Sequence, residues 1–266
     1  MLTELLLPVT FACVSTVVPL RLVDHYPVVD DVYVDRNGPF HFLVDTGFQS
    51  TSLDERLAEK LGLIPDYLVT LVTQSGERDV RASRLQAVEF GGIAAQSELL
   101  WLDLASARRL SSRIQGILGQ AFLSRFGYIL DYGRRRLVLN PCEALSGPAS
   151  VRVPVERSDG RLVVTVQANG RDLKLVLDSG TSDLILFGQS AGQHITIMTN
   201  VGSAAGTRTR LPVVTMGESK LFDIPAVVLP QANRTGIDGL LPTRLFDSIY
   251  VNHAENYVIL DPPIRK

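Results

Sequence analysis

The chain reads as a mostly-β protein of two lobes related by internal duplication, and three observations carry that reading. Short β-branched runs at close spacing dominate, with turn signals between them and no alternation of strands with amphipathic helices. Two stretches, VYVDRNGPFHFLVDTG and LVVTVQANGRDLKLVLDSG, present one order of features. Each half then closes on a glycine-containing apolar motif and a last pair of strands, GILGQAFL with YILDYGRRRLVLNP and DGLLPTRLF with IYVNHAENYVILDP.

Taken from the N-terminus, MLTELLLPVTFACVSTVVPL is apolar and of signal-peptide length, yet it lacks a basic start and carries Glu4. Its β-branched valines and Pro8 and Pro19 fit a buried first strand as well. A signal would place the protein outside the cytoplasm and a strand would leave it inside; nothing later in the sequence is long and apolar enough to span a bilayer. Cys13 lies in this segment and Cys142 far from it, with no metal-like spacing, so no structural disulfide is expected.

In the first half a strand from Val32 to Asp35, a turn at Asn37-Gly38 and a strand from Phe40 to Val44 deliver Asp45-Thr46-Gly47. In the second half Leu162 to Gln167, a turn at Asn169-Gly170 and Leu173 to Leu177 deliver Asp178-Ser179-Gly180. The turn glycines are 132 positions apart and the aspartates 133. Ser52-x-x-Glu55 has the form of a capping box and predicts a helix over Ser52 to Leu61, stopped by Gly62. The matching stretch after Asp178, TSDLILFGQSAG, predicts a strand and then irregular chain. LQAVEFGG answers LPVVTMGE, each followed by an apolar strand. LVTQSGERDV and IMTNVGSAAGTRTR read as hairpins that would cover a cleft as flaps. The predicted organisation is an apolar segment at 1–20, an N-terminal lobe at 21–145 holding Asp45, a linker at 146–150, and a C-terminal lobe at 151–266 holding Asp178.

Two carboxylates brought close together cannot both ionise, so they share a proton and their pKa values split around the usual value of about 4. One then serves as base toward a water and the other as acid toward a carbonyl, which makes Asp45 and Asp178 the candidate catalytic pair. Gly47 and Gly180 would permit a tight turn beside each carboxylate. Thr46 and Ser179 supply hydroxyls able to tie one loop to the other, and Thr181 one able to bond Asp178.

FLVDTGFQSTSLDERLAEKLGL with GILGQAFLSRFGYILDYGRRRLVL resembles the retropepsin-like aspartyl protease family of bacteria, over most of residues 19–141. With the second copy, the chain is similar to a small pepsin-type bilobal enzyme. The resemblance implies an acid-protease-like fold of two retropepsin-like β lobes, catalytic aspartates at Asp45 and Asp178, and a packing motif behind the loop at Ile117, Leu118 and Gly119. Two positions depart from the pattern. Phe48 is bulky where a small residue is common. Pro242 follows Leu240-Leu241 where glycine is expected, unless Ile237-Asp238-Gly239 is the counterpart.

The implied function is an aspartic endopeptidase acting as a monomer on peptide or protein in extended conformation, without cofactor. A catalytically impaired peptide-binding or scaffold module of the same fold is the alternative. A minor one is a serine hydrolase, because Gly188-Gln189-Ser190-Ala191-Gly192 matches a nucleophile-elbow pattern with Asp238, Asp247 and His253 downstream. His25, His41, His194 and His253 have no metal-ligand spacing, so no metal is expected. With 26 basic and 28 acidic side chains and a net charge of −2, no basic face for nucleic acid is expected either, and membrane association is open only to residues 1–20.

Overall fold

The structure, a computed structural model, describes residues 13–73, 76–145, 147–190, 192–199, 202–230 and 236–262. It is mostly β, in two lobes. The N-terminal lobe contains β1 (Thr16–Pro19), β2 (Arg21–Val23), β3 (Tyr26–Val34), β4 (Asn37–Val44), β5 (Thr51–Asp54), α1 (Glu55–Lys60), β6 (Tyr67–Thr73), β7 (Gly76–Phe90), β8 (Ile93–Leu102), α2 (Ala105–Leu110), β9 (Ile114–Leu118), α3 (Gln120–Leu123), β10 (Tyr128–Asp131) and β11 (Arg136–Leu139). The C-terminal lobe contains β12 (Val151–Pro154), β13 (Glu156–Ser158), β14 (Arg161–Ala168), β15 (Arg171–Asp178), β16 (Leu184–Phe187), β17 (Gln193–Thr199), β18 (Gly202–Met216), β19 (Ser219–Leu229), β20 (Gly239–Pro242), β21 (Ser248–Asn252) and β22 (Tyr257–Asp261).

The duplication is visible in the strand order. One sheet runs β2-β3-β4-β9-β5-β8-β7-β6 and the other β13-β14-β15-β20-β16-β19-β18-β17, the same path taken twice. Pairing of β3 with β7, and of β14 with β18, closes six strands of each into a barrel. A third sheet, β1-β11-β10-β21-β22-β12, takes strands from both lobes and reads alike from either end. One core runs through all three sheets, from Val18 in β1 through Phe42, Val44, Leu130, Leu177 and Ile249 to Leu260 in β22. Smaller clusters around Leu43 and Ile117, and around Val176 and Leu240, fill the opposite side of each barrel wall.

The strands that carry the two aspartates are buried on both faces. Phe42, Leu43 and Val44, and likewise Leu175, Val176 and Leu177, are fully inaccessible. Their continuous apolar runs are what a strand with parallel partners and no solvent face requires. β4 pairs in parallel with β9 and β15 with β20, which puts the closing motif of each half beside its aspartate strand.

Local readings are corrected at three places. The β3–β4 hairpin turns at Asp35-Arg36, both with positive φ, and Asn37-Gly38 begins β4. Val34 pairs with Asn37, which leaves only Asp35-Arg36 in the loop and draws Asn37 into the strand. Asn169-Gly170 does form the second turn, with φ of 52° and 71°. The helix is shorter than its capping pattern implies: Ser52 is buried in β5, paired with Leu100 and Ile117, and Asp54 precedes a helix of six residues. Pairing on both sides overrides the local signal. Gly62 ends α1, with φ of 68° and its N–H on the Glu59 carbonyl.

The third correction concerns the cysteines, since Cys13 and Cys142 form a disulfide with Cα atoms 5.6 Å apart. β1 pairs antiparallel with β11, Thr16 opposite Leu139, and the same register extended outward brings residue 13 to residue 142. The contact depends on tertiary pairing and leaves no trace in cysteine spacing. The strand reading of the first twenty residues therefore applies to Thr16–Pro19, and the signal or anchor reading of residues 1–12 lies outside the described residues. Among the described residues no helix is long and apolar enough to cross a membrane. The disulfide is expected to contribute about 2–4 kcal/mol. In urea unfolding, a reductant should lower the stability of the wild type by that amount and leave a Cys13→Ser, Cys142→Ser double variant unchanged; equal curves with and without reductant for the wild type would count against the bond.

Candidate active site

Asp45 follows β4 and Asp178 ends β15, and the lobes bring the two loops face to face in the interior. Asp45 is 3% exposed and Asp178 8%. Their carboxyl groups are close neighbours, each facing the glycine of the other's loop. The neighbouring backbone holds each one: Gly47 N–H donates to Asp45 Oδ1 at 3.0 Å, and Gly180 N–H to Asp178 Oδ1 at 2.7 Å.

The glycines do more than allow the loops to turn. A Cβ on Gly47 would lie 2.3 Å from the Asp178 carboxyl carbon, and one on Gly180 would lie 2.4 Å from that of Asp45. Each glycine makes room for the carboxyl group of the opposite lobe.

Thr46 and Ser179 lock the loops together across the lobes. The Thr46 hydroxyl donates to the Leu177 carbonyl at 2.9 Å and accepts from Ser179 N–H at 3.0 Å. The Ser179 hydroxyl donates to the Val44 carbonyl at 2.7 Å and accepts from Thr46 N–H at 2.9 Å. Both side chains are buried, so these four bonds satisfy groups that water does not reach.

Behind the first loop, Ile117 and Leu118 are wholly buried, and the Leu118 carbonyl accepts from Asp45 N–H at 3.0 Å. Gly119 has no room for a side chain, because a Cβ would lie 2.0 Å from the Ser50 carbonyl oxygen. The chain beyond it supports the loop: Gln120 N–H donates to the Phe48 carbonyl at 2.9 Å, Ala121 N–H to the Gln49 carbonyl at 2.8 Å, and Gln120 Nε2 to the Thr46 carbonyl at 2.8 Å. Phe48 packs its ring against the Leu43 and Ile117 cluster.

Strand pairing decides the register in the second lobe. Val176 opposes Leu240, Leu177 opposes Leu241 and Asp178 opposes Pro242, so Pro242 occupies the place of Gly119 and Ile237-Asp238-Gly239 is not the counterpart. The support is rebuilt with a side chain: Arg244 Nε donates to the Ser182 carbonyl at 2.5 Å, where the first lobe uses Ala121 N–H on Gln49. The Thr181 hydroxyl donates to the Asp183 carbonyl at 3.0 Å and not to Asp178, which stiffens the loop one step away from the dyad.

Burial, and then the adjacent Asp45 carboxylate, push Asp178 well above the usual carboxylate range, against the Gly180 N–H, which acts in the opposite sense. Tyr26, at the start of β3, lies half-buried near Ser182 of the opposite lobe, and burial raises its hydroxyl. Tyr132 shares a 2.5 Å hydrogen bond with the Thr243 hydroxyl in the opposite lobe. Tyr132 and Thr243 stand in the closing motifs of the two halves, but neither was singled out from the sequence.

The serine-hydrolase alternative is not assembled. Ser190 precedes strand β17 where an elbow requires a helix. His253 accepts from Arg157 Nη2 at 3.1 Å and contacts the Tyr128 ring, and burial pushes its imidazole down to about 4. The two flap readings fall on the β6–β7 and β17–β18 hairpins, whose tips lie outside the described residues. Among the described residues no cluster of His, Cys, Asp and Glu has the arrangement of a metal site.

Two measurements test this geometry. Thr46→Val leaves the buried Ser179 N–H without an acceptor, at a cost of roughly 1–3 kcal/mol. Thr46→Val with Ser179→Ala should cost less than the sum of the single changes in urea unfolding, because both act on one network; strict additivity would contradict the lock. The second measurement follows from the raised Asp178 pKa. The native state keeps a proton that the unfolded chain has lost, so this group makes stability fall as pH rises from about 4 through the raised value. Asp178→Asn should therefore gain on the wild type across that window and not below it. Parallel stability curves would contradict the shift.

Comparison with known proteins agrees with this geometry. No curated protein sequence matches the chain. A family model described as aspartyl protease matches residues 31–122, from β3 through Asp45 to α3, which supports a protease function in general terms. The N-terminal barrel is thus similar to the aspartyl protease family, and the two barrels together fit a duplicated, two-lobed protease fold of that kind.

Proposed function

We propose that the chain is an aspartic-type endopeptidase that hydrolyses peptide bonds with a water activated between Asp45 and Asp178, and that it works as a single chain. The observation that carries this reading is the mutual burial of two carboxyl groups, each accommodated by the glycine of the other's loop. The pair holds one proton between its two carboxyl groups. Its ionised member takes a proton from the water, and the oxygen attacks the scissile carbonyl while the protonated member donates to the carbonyl oxygen. Collapse of the tetrahedral intermediate breaks the C–N bond, and the proton taken from water passes to the leaving nitrogen. No covalent enzyme intermediate forms.

An extended peptide lying under the β6–β7 and β17–β18 hairpins would meet strand edges, which suits recognition through backbone hydrogen bonds. The Cys13–Cys142 disulfide supports the exported alternative for localisation, since such bonds persist in oxidising compartments. Of the two departures that favour an impaired binding module, Pro242 is paired beside Asp178 and its loop is supported by Arg244, and Phe48 packs into the barrel wall.

The test is cleavage of a diverse peptide library from acidic to neutral pH, read by mass spectrometry. Asp45→Asn and Asp178→Asn should each lose at least roughly 10²–10⁴-fold in rate. A peptide carrying a secondary hydroxyl in place of the scissile carbonyl should inhibit, and chelators should have no effect. Cleavage that survives either substitution would remove that aspartate from the mechanism. A folded wild type that binds peptides and cleaves none would establish the scaffold alternative.

A further inference from the structure

The duplication places one residue beside each aspartate, and the two residues differ in kind. In the N-terminal barrel β3 and β4 pair Val28 with Leu43, and two residues further the register sets Tyr26 opposite Asp45. In the C-terminal barrel β14 and β15 pair Val163 with Val176, and the same step sets Arg161 opposite Asp178. Directly opposed residues of an antiparallel pair project to one face with Cβ atoms about 4.5–5.5 Å apart. In keeping with this extension of the register, Arg161 and Tyr26 both lie within electrostatic reach of Asp178.

Of the two, Arg161 is not fully satisfied in its hydrogen bonding. Its side chain is 23% exposed, and its Nε is buried with no hydrogen-bond partner. Nη2 reaches the Asp159 carboxylate at 3.5 Å, the outer limit of a hydrogen bond. The hairpin carrying Arg161 is fixed against the opposite loop, because Gln49 Nε2 donates to the Asp159 carbonyl at 2.7 Å. The positive charge is felt at Asp178, where it opposes the upward push of burial. A guanidinium is a planar fork of five donors that fits a carboxylate. Here the partly exposed fork is held near the reacting groups with one long contact to Asp159.

We propose that Arg161 is a specificity-determining residue that receives a substrate carboxylate, the side chain of an Asp or Glu next to the scissile bond. This inference rests on the peptidase reading. The dyad carries one negative charge and would otherwise repel an acidic residue placed beside it; Arg161 offsets that repulsion and supplies donors that a neutral isostere fills less well.

The experiment uses library peptides synthesised in matched Glu and Gln forms, with kcat/KM measured for the wild type, Arg161→Gln and Arg161→Lys, each first shown to unfold cooperatively. The wild type should prefer the Glu form at one position near the cleaved bond by roughly 10–100-fold, the worth of a charge-assisted hydrogen bond. The preference should fall to near unity in Arg161→Gln and be partly kept in Arg161→Lys. An equal Glu to Gln ratio in wild type and Arg161→Gln would overturn the proposal. If only the pH profile moves, Arg161 acts on the dyad and not on substrate, and the proposal is again overturned. If no peptide is cleaved, the peptidase reading has failed, and retention of the same pairs on immobilised protein decides separately: Glu-selective retention lost in Arg161→Gln supports a carboxylate site, and equal retention rules it out.

Discussion

Asp45 and Asp178 sit in the interior with their carboxyl groups in contact, and bare electrostatics opposes that arrangement twice over. Burial disfavours charge on either group, and a charge on one disfavours charge on the other. Sharing a proton relieves both penalties, but only if neither loop can draw back and let water in. The four hydrogen bonds that cross between Thr46, Ser179, Val44 and Leu177 prevent retreat, since separating the loops would strand buried donors and acceptors from both lobes. The close approach that they impose is what excludes any side chain at Gly47 and Gly180. The same constraint explains why the aspartate strands are buried on both faces and braced by parallel neighbours.

Duplication supplies this symmetry cheaply, and divergence between the copies then shows which parts of the loop support are indispensable. The contacts at the dyad are kept on both sides. The second layer is not: Gly119 and Pro242 stand at matching places, and a backbone N–H in one lobe is replaced by the Arg244 side chain in the other. The demand is for a donor to the loop carbonyl, and its chemical source is free to change. At the next remove, Tyr26 and Arg161 share a register position and differ completely in chemistry, so the cleft between near-symmetric lobes is itself asymmetric.

Period, turn chemistry and repetition made the two-lobed β fold and the order of its strands readable from the amino acids alone. What was not legible depends on partners distant in sequence. Ser52-x-x-Glu55 looks like a helix start until β8 and β9 claim Ser52 for a strand. Cys13 and Cys142 meet only because β1 aligns with β11. Asn37-Gly38 misplaced a turn that the pairing of Val34 with Asn37 sets at Asp35-Arg36. Arg161 was within reach of a sequence argument: with the turn fixed at Asn169-Gly170, counting outward along the hairpin sets residue 161 opposite residue 178. Gly47 and Gly180 were singled out for their turns alone, since sequence reveals that a residue is glycine but not what approaches it.

The account depends most on the two carboxyl groups behaving as one buried, coupled pair, and that can be measured without any substrate. Carboxyl carbons of labelled aspartates, followed by NMR through a pH titration, report each ionisation directly. The expected result is that Asp178 holds its proton well above the usual carboxylate range and that Asp45→Asn shifts its titration downward, because one of the two causes of the rise has been removed. Titration of both groups near 4, unaltered by replacing the partner, would contradict the coupled dyad and the catalytic reading built on it.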